Sequence, residues 1–280
     1  MARTYPYPQA SASRATSAEA AVWSWLLRAR DDDEVRRRGP PPALAAHPLL
    51  ARMQGVLGEV PRARPYVVGH LGQSLDGRIA LPCGASQWIT GEEDLHHTHQ
   101  LRALCDAVMV GTQTVAADDP RLTVRRVEGP DPLRVVLDPR GRLPAERSVF
   151  VDGRPTLRVG RAPARRQIPG WGPDQHAVDE LLLPGEGPLD LVGMLEALRA
   201  RGVRRLFVEG GGVTLGHLLA AGVVDRLHLV MAPVLVGHGR PSVAAVLSGT
   251  LEGCPRPRVR MEPLGNDVLF DCAFHEEGAA

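Results

Sequence analysis

Apolar positions recur along this chain in two rhythms, one helical and one of short strand-like runs. "SAEAAVWSWLLRAR" has the helical spacing, with Ser17 as the expected N-cap. "DDDEVRRRGPPP" is charged and then helix-breaking, so it reads as a linker, and "ALAAHPLLARMQGVL" allows one more short helix. From Pro65 the texture changes. "PYVVGHLGQSLDGRIA" begins as an apolar strand and turns at Asp76-Gly77. "TGEEDLHHTHQLRALC" predicts a helix: Thr90 suits an N-cap, Glu93 follows three residues later, and Leu95, Leu101 and Leu104 fall near one face. "DAVMVG" and "TLRVG" are short strands, and "PLRVVLDPRGRLP" is a strand ending in a turn. "LDLVGMLEALRARG" is an amphipathic helix ending at Gly202. "VRRLFVEGGG" is a strand, "VTLGHLLAAG" a helix, "DRLHLVMAPVLVG" a strand, and "RVRMEPLGNDVLFDCAF" a hairpin around Gly265-Asn266. The Pro/Gly-rich stretch "RAPARRQIPGWGPDQHAVDELLLPGEGP" is expected to be a surface excursion.

Strands that alternate with helices and then end in strands predict an α/β fold of three layers. Its central sheet is mainly parallel, with antiparallel strands at the C-terminal end. Residues 1–64 form a helical N-terminal extension and linker, expected as a packing or dimerisation arm, and residues 65–280 form the α/β domain.

Composition narrows the chemistry. With 280 residues, 44 % hydrophobic and 23 % charged, the chain fits a soluble globular enzyme of one large or two small domains. A net charge of +1 gives no bulk attraction to nucleic acid or membrane. No apolar run spans a bilayer, and the first fifteen residues lack the apolar core of a secretion signal. The dispersed Cys83, Cys105, Cys254 and Cys272 read as reduced, buried thiols of a cytoplasmic protein. Every basic residue counted with lysine is an arginine. That excludes a lysine Schiff base, pyridoxal-phosphate chemistry and a Walker-A loop.

Three segments carry candidate chemistry. In "FVEGGGVTLGH", a strand runs through Glu209 into Gly210, Gly211 and Gly212 and then a helix. Glycines permit close backbone approach to a diphosphate, and a helix N-terminus supplies amide donors and partial positive charge. The spacing is no strict dinucleotide fingerprint, since Leu215 stands at the third glycine position, and His217 stands where a P-loop has lysine. A plain tight turn is the other reading. "TVAADDPRLTVR" offers Thr114 and Asp118 to a ribose or amide, a rigid Asp119-Pro120 turn, and Arg121 and Arg125 as a phosphate fork; solvated arginines beside an Asp-Pro turn would look the same. "CGASQWITG" brings Ser86 and Trp88, the latter either part of the core or a stacking face for a flat heterocycle. The "HHTH" run, His96, His97 and His99, points to different sides of its helix, so no metal site is expected.

Taken in order and spacing, "SLDGRIA", "SQWITG", "LRALCDAVMVGTQTVAADDPRLTVR", "PLRVVLDPRGRLP" and "LFVEGGG" resemble the RibD C-terminal family, the reductase domain of bacterial riboflavin biosynthesis, over about residue 64 to the C-terminus. The resemblance implies a dihydrofolate-reductase-like fold, a homodimer, and NADPH-dependent reduction of the ribosyl group of 5-amino-6-(5-phosphoribosylamino)uracil to ribityl. Hydride would go to C1′ of the ring-opened imine. It further implies substrate contacts from Ser86, Arg102, the Leu122 backbone, Arg125 and Glu209. Cofactor contacts would come from Trp88, Thr114, Asp118 and the stretch Gly210, Gly211, Gly212, Val213, Thr214, Leu215, Gly216 and His217. The turn of Pro139 and Arg140 would lie by the adenosine ribose, where Pro139 lacks a donor and Arg140 takes over the 2′-phosphate. Asp76 and Glu209 are the candidates for proton donation or orientation. The short stretch before Arg64 is not expected to form the zinc deaminase of bifunctional relatives, whose ligands it lacks. A same-fold reductase of another ribosylated or unsaturated heterocycle, and a non-catalytic dinucleotide-binding subunit, are the alternatives.

Overall fold

The computed structural model of the protein describes residues 16–162, 178–185 and 188–275. Among the described residues, nine strands form one sheet. The seven parallel ones are β1 (Tyr66–Ser74), β3 (Ala107–Gly111), β4 (Leu133–Leu137), β5 (Thr156–Arg161), β6 (Val178–Leu183), β7 (Arg205–Glu209) and β8 (Arg226–Ala232). Antiparallel β10 (Arg258–Leu264) and β11 (Asp267–Ala273) complete it, and the order is β10-β11-β8-β1-β7-β3-β4-β5-β6. A separate two-stranded ribbon joins β2 (Arg78–Ala80) to β9 (Arg240–Pro241). The fold is the α/β arrangement expected, mostly parallel with antiparallel strands at the C-terminal end.

Strand alternation explains the layers, because successive side chains point to opposite faces. Val68, Val108, Val110, Val136 and Phe207 enter one buried cluster; Val67, Ala107, Met109, Val135, Leu206 and Val208 enter the other. The first face is covered by α4 (Glu92–Leu104) through Leu101 and Leu104, together with α1 (Ser17–Asp31), α3 (Pro48–Met53) and the short α6 (Ser148–Val151). The second is covered by α7 (Leu191–Ala200) and α8 (Gly212–Ala220). Trp23, Trp25, Leu26 and Leu50 thus lie in the same cluster as Leu101, Leu104 and Phe207. The Trp23 indole also donates to the Glu128 carbonyl at 2.9 Å.

Several local expectations need correction. Thr16, not Ser17, caps α1, its side chain accepting from the Glu19 amide. The charged stretch read as a linker forms α2 (Asp33–Arg38), because Asp32 caps it and acidic residues precede the arginines along the helix dipole. Gly91 rather than Thr90 occupies the N-cap of α4, and its amide is held by Asp267 instead. Most of the expected surface excursion lies outside the described residues, but its end is the edge strand β6, whose Asp179 and Glu180 suit an edge. Of the four cysteines, Cys105 and Cys272 are buried, whereas Cys83 is exposed and Cys254 half-exposed, and all are free.

Candidate active site

The helices that follow β1 and β7 leave on opposite faces, α4 into one core cluster and α8 into the other. Such a divergence opens a crevice beyond the carboxyl ends of parallel strands. A cavity of about 650 Å³ lies there, lined among others by His70, Asp94, Thr98, Glu209 and Arg240.

Its floor is Glu209, the last residue of β7. Arg102 of α4 grips that carboxylate with both arms, Nε to Oε2 at 2.8 Å and Nη2 to Oε1 at 2.5 Å, while Nη1 donates to the Thr123 carbonyl at 2.9 Å. The planar guanidinium matches the carboxylate fork, and Arg102 is buried behind it. Thr123 also accepts from Arg125 Nη1 at 2.6 Å, so Arg125 stands beside the same pair. Burial and the neighbouring Arg102 and Arg121 lower the Arg125 pKa. The Arg125 amide donates to His99 Nδ1 at 3.0 Å. Burial, then Arg102 and Arg125, push His99 down to about 4, which keeps it a neutral acceptor.

After Glu209 the chain turns through Gly210 and Gly211 with φ of +64° and +74°, a region that L side chains avoid. Gly212 needs its missing side chain for another reason: a Cβ there would collide with the carbonyl oxygens of Ser242 and Pro241. No side chain caps α8, so its first amides are donors without an intramolecular side-chain acceptor. Gly210 to Val213 line the cavity. Thr214 packs toward Gly111, Leu215 against Gly69 and Gly216 against Ala245, while His217 is exposed. Of the stretch Gly210 to His217, the first four residues line the cavity and the later four do not.

Beside the turn, where Thr114 borders Gly210 and Gly211, α5 (Thr112–Asp118) presents Thr114 and Asp118 to the cavity. Ser86 donates to Asp118 at 3.5 Å, and burial raises the Asp118 pKa against that bond. Trp88 also lines the cavity, 70 % exposed, with φ of +70°. Asp119 and Leu122 also have positive φ, +41° and +58°. Non-glycine residues in this region cost roughly 1–3 kcal/mol each and collect at functional sites. Asp119 is held there by accepting from the Ser148 amide and hydroxyl, and the Leu122 side chain is buried in the core.

Arg102, Leu122 and Arg125 do not themselves line the cavity, and three further expected residues fall elsewhere. Asp76 does not line the cavity; it accepts from Ser74 Oγ and from the Val236 and Gly237 amides, tying two loops together. Those bonds lower it to about 2, so at neutral pH it has no proton to give. Pro139 and Arg140 follow β4, two strands from β7, and do not line the cavity. Asp138 before them is occupied by Arg158 and by the Arg142 and Leu143 amides.

Two residues escaped the sequence reading. His70 of β1 sits level with Glu209 in the sheet register, and its Nε2 is 2.8 Å from Asp94 Oδ1 on α4. The only signal was a histidine inside an apolar strand. Among the described residues, no group of three or more His, Cys, Asp or Glu is placed to hold a metal ion. None of the described helices is long and apolar enough to cross a membrane.

Residues 65–269 match the family model for the RibD C-terminal domain. The 2,5-diamino-6-ribosylamino-4(3H)-pyrimidinone 5′-phosphate reductase of Methanothermobacter thermautotrophicus is 42 % identical over 180 residues, covering 62 % of this chain and 80 % of that one. Riboflavin biosynthesis protein RibD of Escherichia coli is 35 % identical across 81 % of this chain, which spans 63 % of its length. Among solved structures, RibD of Acinetobacter baumannii superposes with a TM-score of 0.67 at 26 % identity, covering 81 % of this chain and 63 % of that one.

Proposed function

The chain belongs to the RibD C-terminal domain family, and from that premise we propose that it is an NADPH-dependent reductase of riboflavin biosynthesis, converting the ribosyl group of a 5′-phosphorylated ribosylaminopyrimidine to ribityl. The observation that carries the reading is a single cavity holding both a glycine turn with uncapped helix amides and an arginine-locked carboxylate. A dinucleotide needs the first; a polyhydroxylated, hydrogen-bonding substrate needs the second.

The fit to NADPH rests on the turn at Gly210 to Gly212, whose positive-φ glycines and close packing of Gly212 on Ser242 bring the uncapped start of α8 to the cavity. When bound, the reduced nicotinamide supplies hydride to C1′ of the ring-opened sugar. The protein's own residues position and stabilise. Gly210 to Val213 and the α8 amides take the diphosphate, Thr114 and Asp118 the ribose or amide, and Trp88 a ring face. Arg140, outside the cavity lining, is the candidate for the 2′-phosphate. Ser86, Arg125 and Glu209 hold the substrate, with Arg102 fixing Glu209 in one rotamer. Glu209 orients hydroxyls or ring N–H groups. The same proposal includes a homodimer and a cytoplasmic location, and solution mass against the 30.2 kDa chain tests the former.

Two substrates differ only at C2: 5-amino-6-(5-phosphoribosylamino)uracil carries an oxygen, and the diamino compound in the name of the Methanothermobacter relative an amine. Each is mixed with protein and NADPH, with NADH beside it, and absorbance of the reduced nicotinamide is followed. Substrate-dependent loss with a ribityl product by mass supports the proposal, and the faster substrate identifies the order of deamination and reduction. Tight NADPH binding without turnover of either pyrimidine would instead favour a same-fold reductase of another heterocycle.

A further inference from the structure

We propose that His70, oriented by Asp94, is the group that gives the substrate its proton as hydride arrives. The inference deepens the reductase reading and rests on it. His70 and Asp94 line the same cavity as Glu209 and the glycine turn, and both are buried at its wall. Asp94 Oδ1 lies 2.8 Å from Nε2, so the carboxylate holds the proton on that nitrogen and fixes the ring. Nδ1 is left as the nitrogen available to the cavity. Gly72 allows the approach: a Cβ there would press on Thr90 and on Asp94 Oδ2, forcing α4 away from β1.

The surroundings select this histidine among the buried ones. Burial opposes charge on His70, but Asp94 and then Glu209 outweigh it against Arg102, and its pKa is raised. His97 of α4, with its ring centroid 6.0 Å away, is held well below the ordinary range by burial and by His228. His228 of β8 is lowered mainly by burial too, despite Asp271. Neither competes as an acid, and Asp76 is already deprotonated. His70 is the imidazole at this wall whose pKa is raised, by Asp94 and then Glu209.

The step balances as follows. Hydride from the reduced nicotinamide forms the C1′–H bond, and the π pair of the substrate's C=N moves to nitrogen. Nitrogen takes the Nδ1 proton of the imidazolium, leaving neutral imidazole, which is reprotonated from water. The nicotinamide is oxidised and the imine reduced by two electrons.

The test uses the whole chain, wild type and the His70→Gln, His70→Ala and Asp94→Asn variants, with kcat measured from pH 5 to 9 on whichever pyrimidine wild type reduces. NADPH affinity is read by tryptophan fluorescence. General-acid loss predicts a kcat drop of roughly 10²–10⁴-fold in His70→Gln, with NADPH affinity little changed. Wild-type kcat should fall as pH rises through the His70 pKa; that limb should vanish in His70→Gln and move to lower pH in Asp94→Asn. Added imidazole should restore part of the His70→Ala rate, which a merely structural role would not permit. An unchanged limb in His70→Gln, or no response to imidazole in a folded His70→Ala, overturns the assignment while leaving the reductase intact. Wild-type protein that binds NADPH but reduces neither pyrimidine overturns both.

Discussion

Glu209 is held at the cavity floor by Arg102 from behind, through two hydrogen bonds. A buried pair of this kind gives a fixed geometry more dependably than net stability, and removing one partner strands the other. Glu209→Gln should therefore fold, bind NADPH near normally and lose roughly 10²-fold or more in kcat, on the scale of other electrostatic contacts to a reacting centre. Arg102→Lys should lose most of that as well, because a point charge cannot reproduce the fork; steady-state rates at saturating NADPH check both. Gly212→Ala is expected to abolish NADPH binding by fluorescence titration, because the added methyl must displace the backbone at Ser242. Much of this was legible in the chain. Glu209, Gly210 and Arg102 stand inside recognisable strings. His70 and Asp94 were not legible: 24 residues apart, each reads as ordinary until β1 and α4 are packed together.

At the scale of elements, α1 and α3 are part of the wall that α4 needs. Trp25 is buried within the cluster that holds Leu101 and Leu104. Trp25→Ala should lower unfolding free energy by about 3–5 kcal/mol, as for large aromatic truncations in cores, measurable by urea denaturation. We propose that residues 1–64 cannot be removed without cost to the α/β part. A chain starting at residue 65 should bind an apolar dye and lose soluble yield; equal yield and melting temperature would make the extension dispensable. The element pattern itself was readable because strands and amphipathic helices have distinct periods. β6 was not, since its half-buried, charged edge position weakens alternation and Pro/Gly-rich sequence surrounds it. Caps were misplaced by one residue where a neighbouring group, such as Asp267 at Gly91, captured the amide from across the fold.

At the scale of the molecule, histidine burial sets a pH dependence. Among the described residues, His96, His97, His99 and His228 are lowered from 6.5, mainly by burial, and His70 alone of the shifted histidines is raised. A lowered histidine favours the folded state fully above the unfolded pKa and loses that contribution as pH falls toward the folded one. The raised His70 works the other way, present at low pH and lost as pH climbs. With four against one, melting temperature should fall as pH drops from about 7 to about 4, the range spanned by these shifts. His97→Gln should flatten that slope in a scan of thermal unfolding against pH.

The order of the sheet also bears on how the chain comes into being. β1 hydrogen-bonds to β7 and β8, the last of which ends at Ala232. A ribosome adding about 5–20 residues per second therefore leaves β1 without either neighbour for roughly seven to thirty seconds. During that interval β3, β4 and β5 can already pair among themselves. The cavity, with one wall on β1 and its floor on β7, exists only after that wait. Slowed translation beyond residue 111 should accordingly lower the soluble yield of this protein, whereas an equal slowing after residue 232 should not.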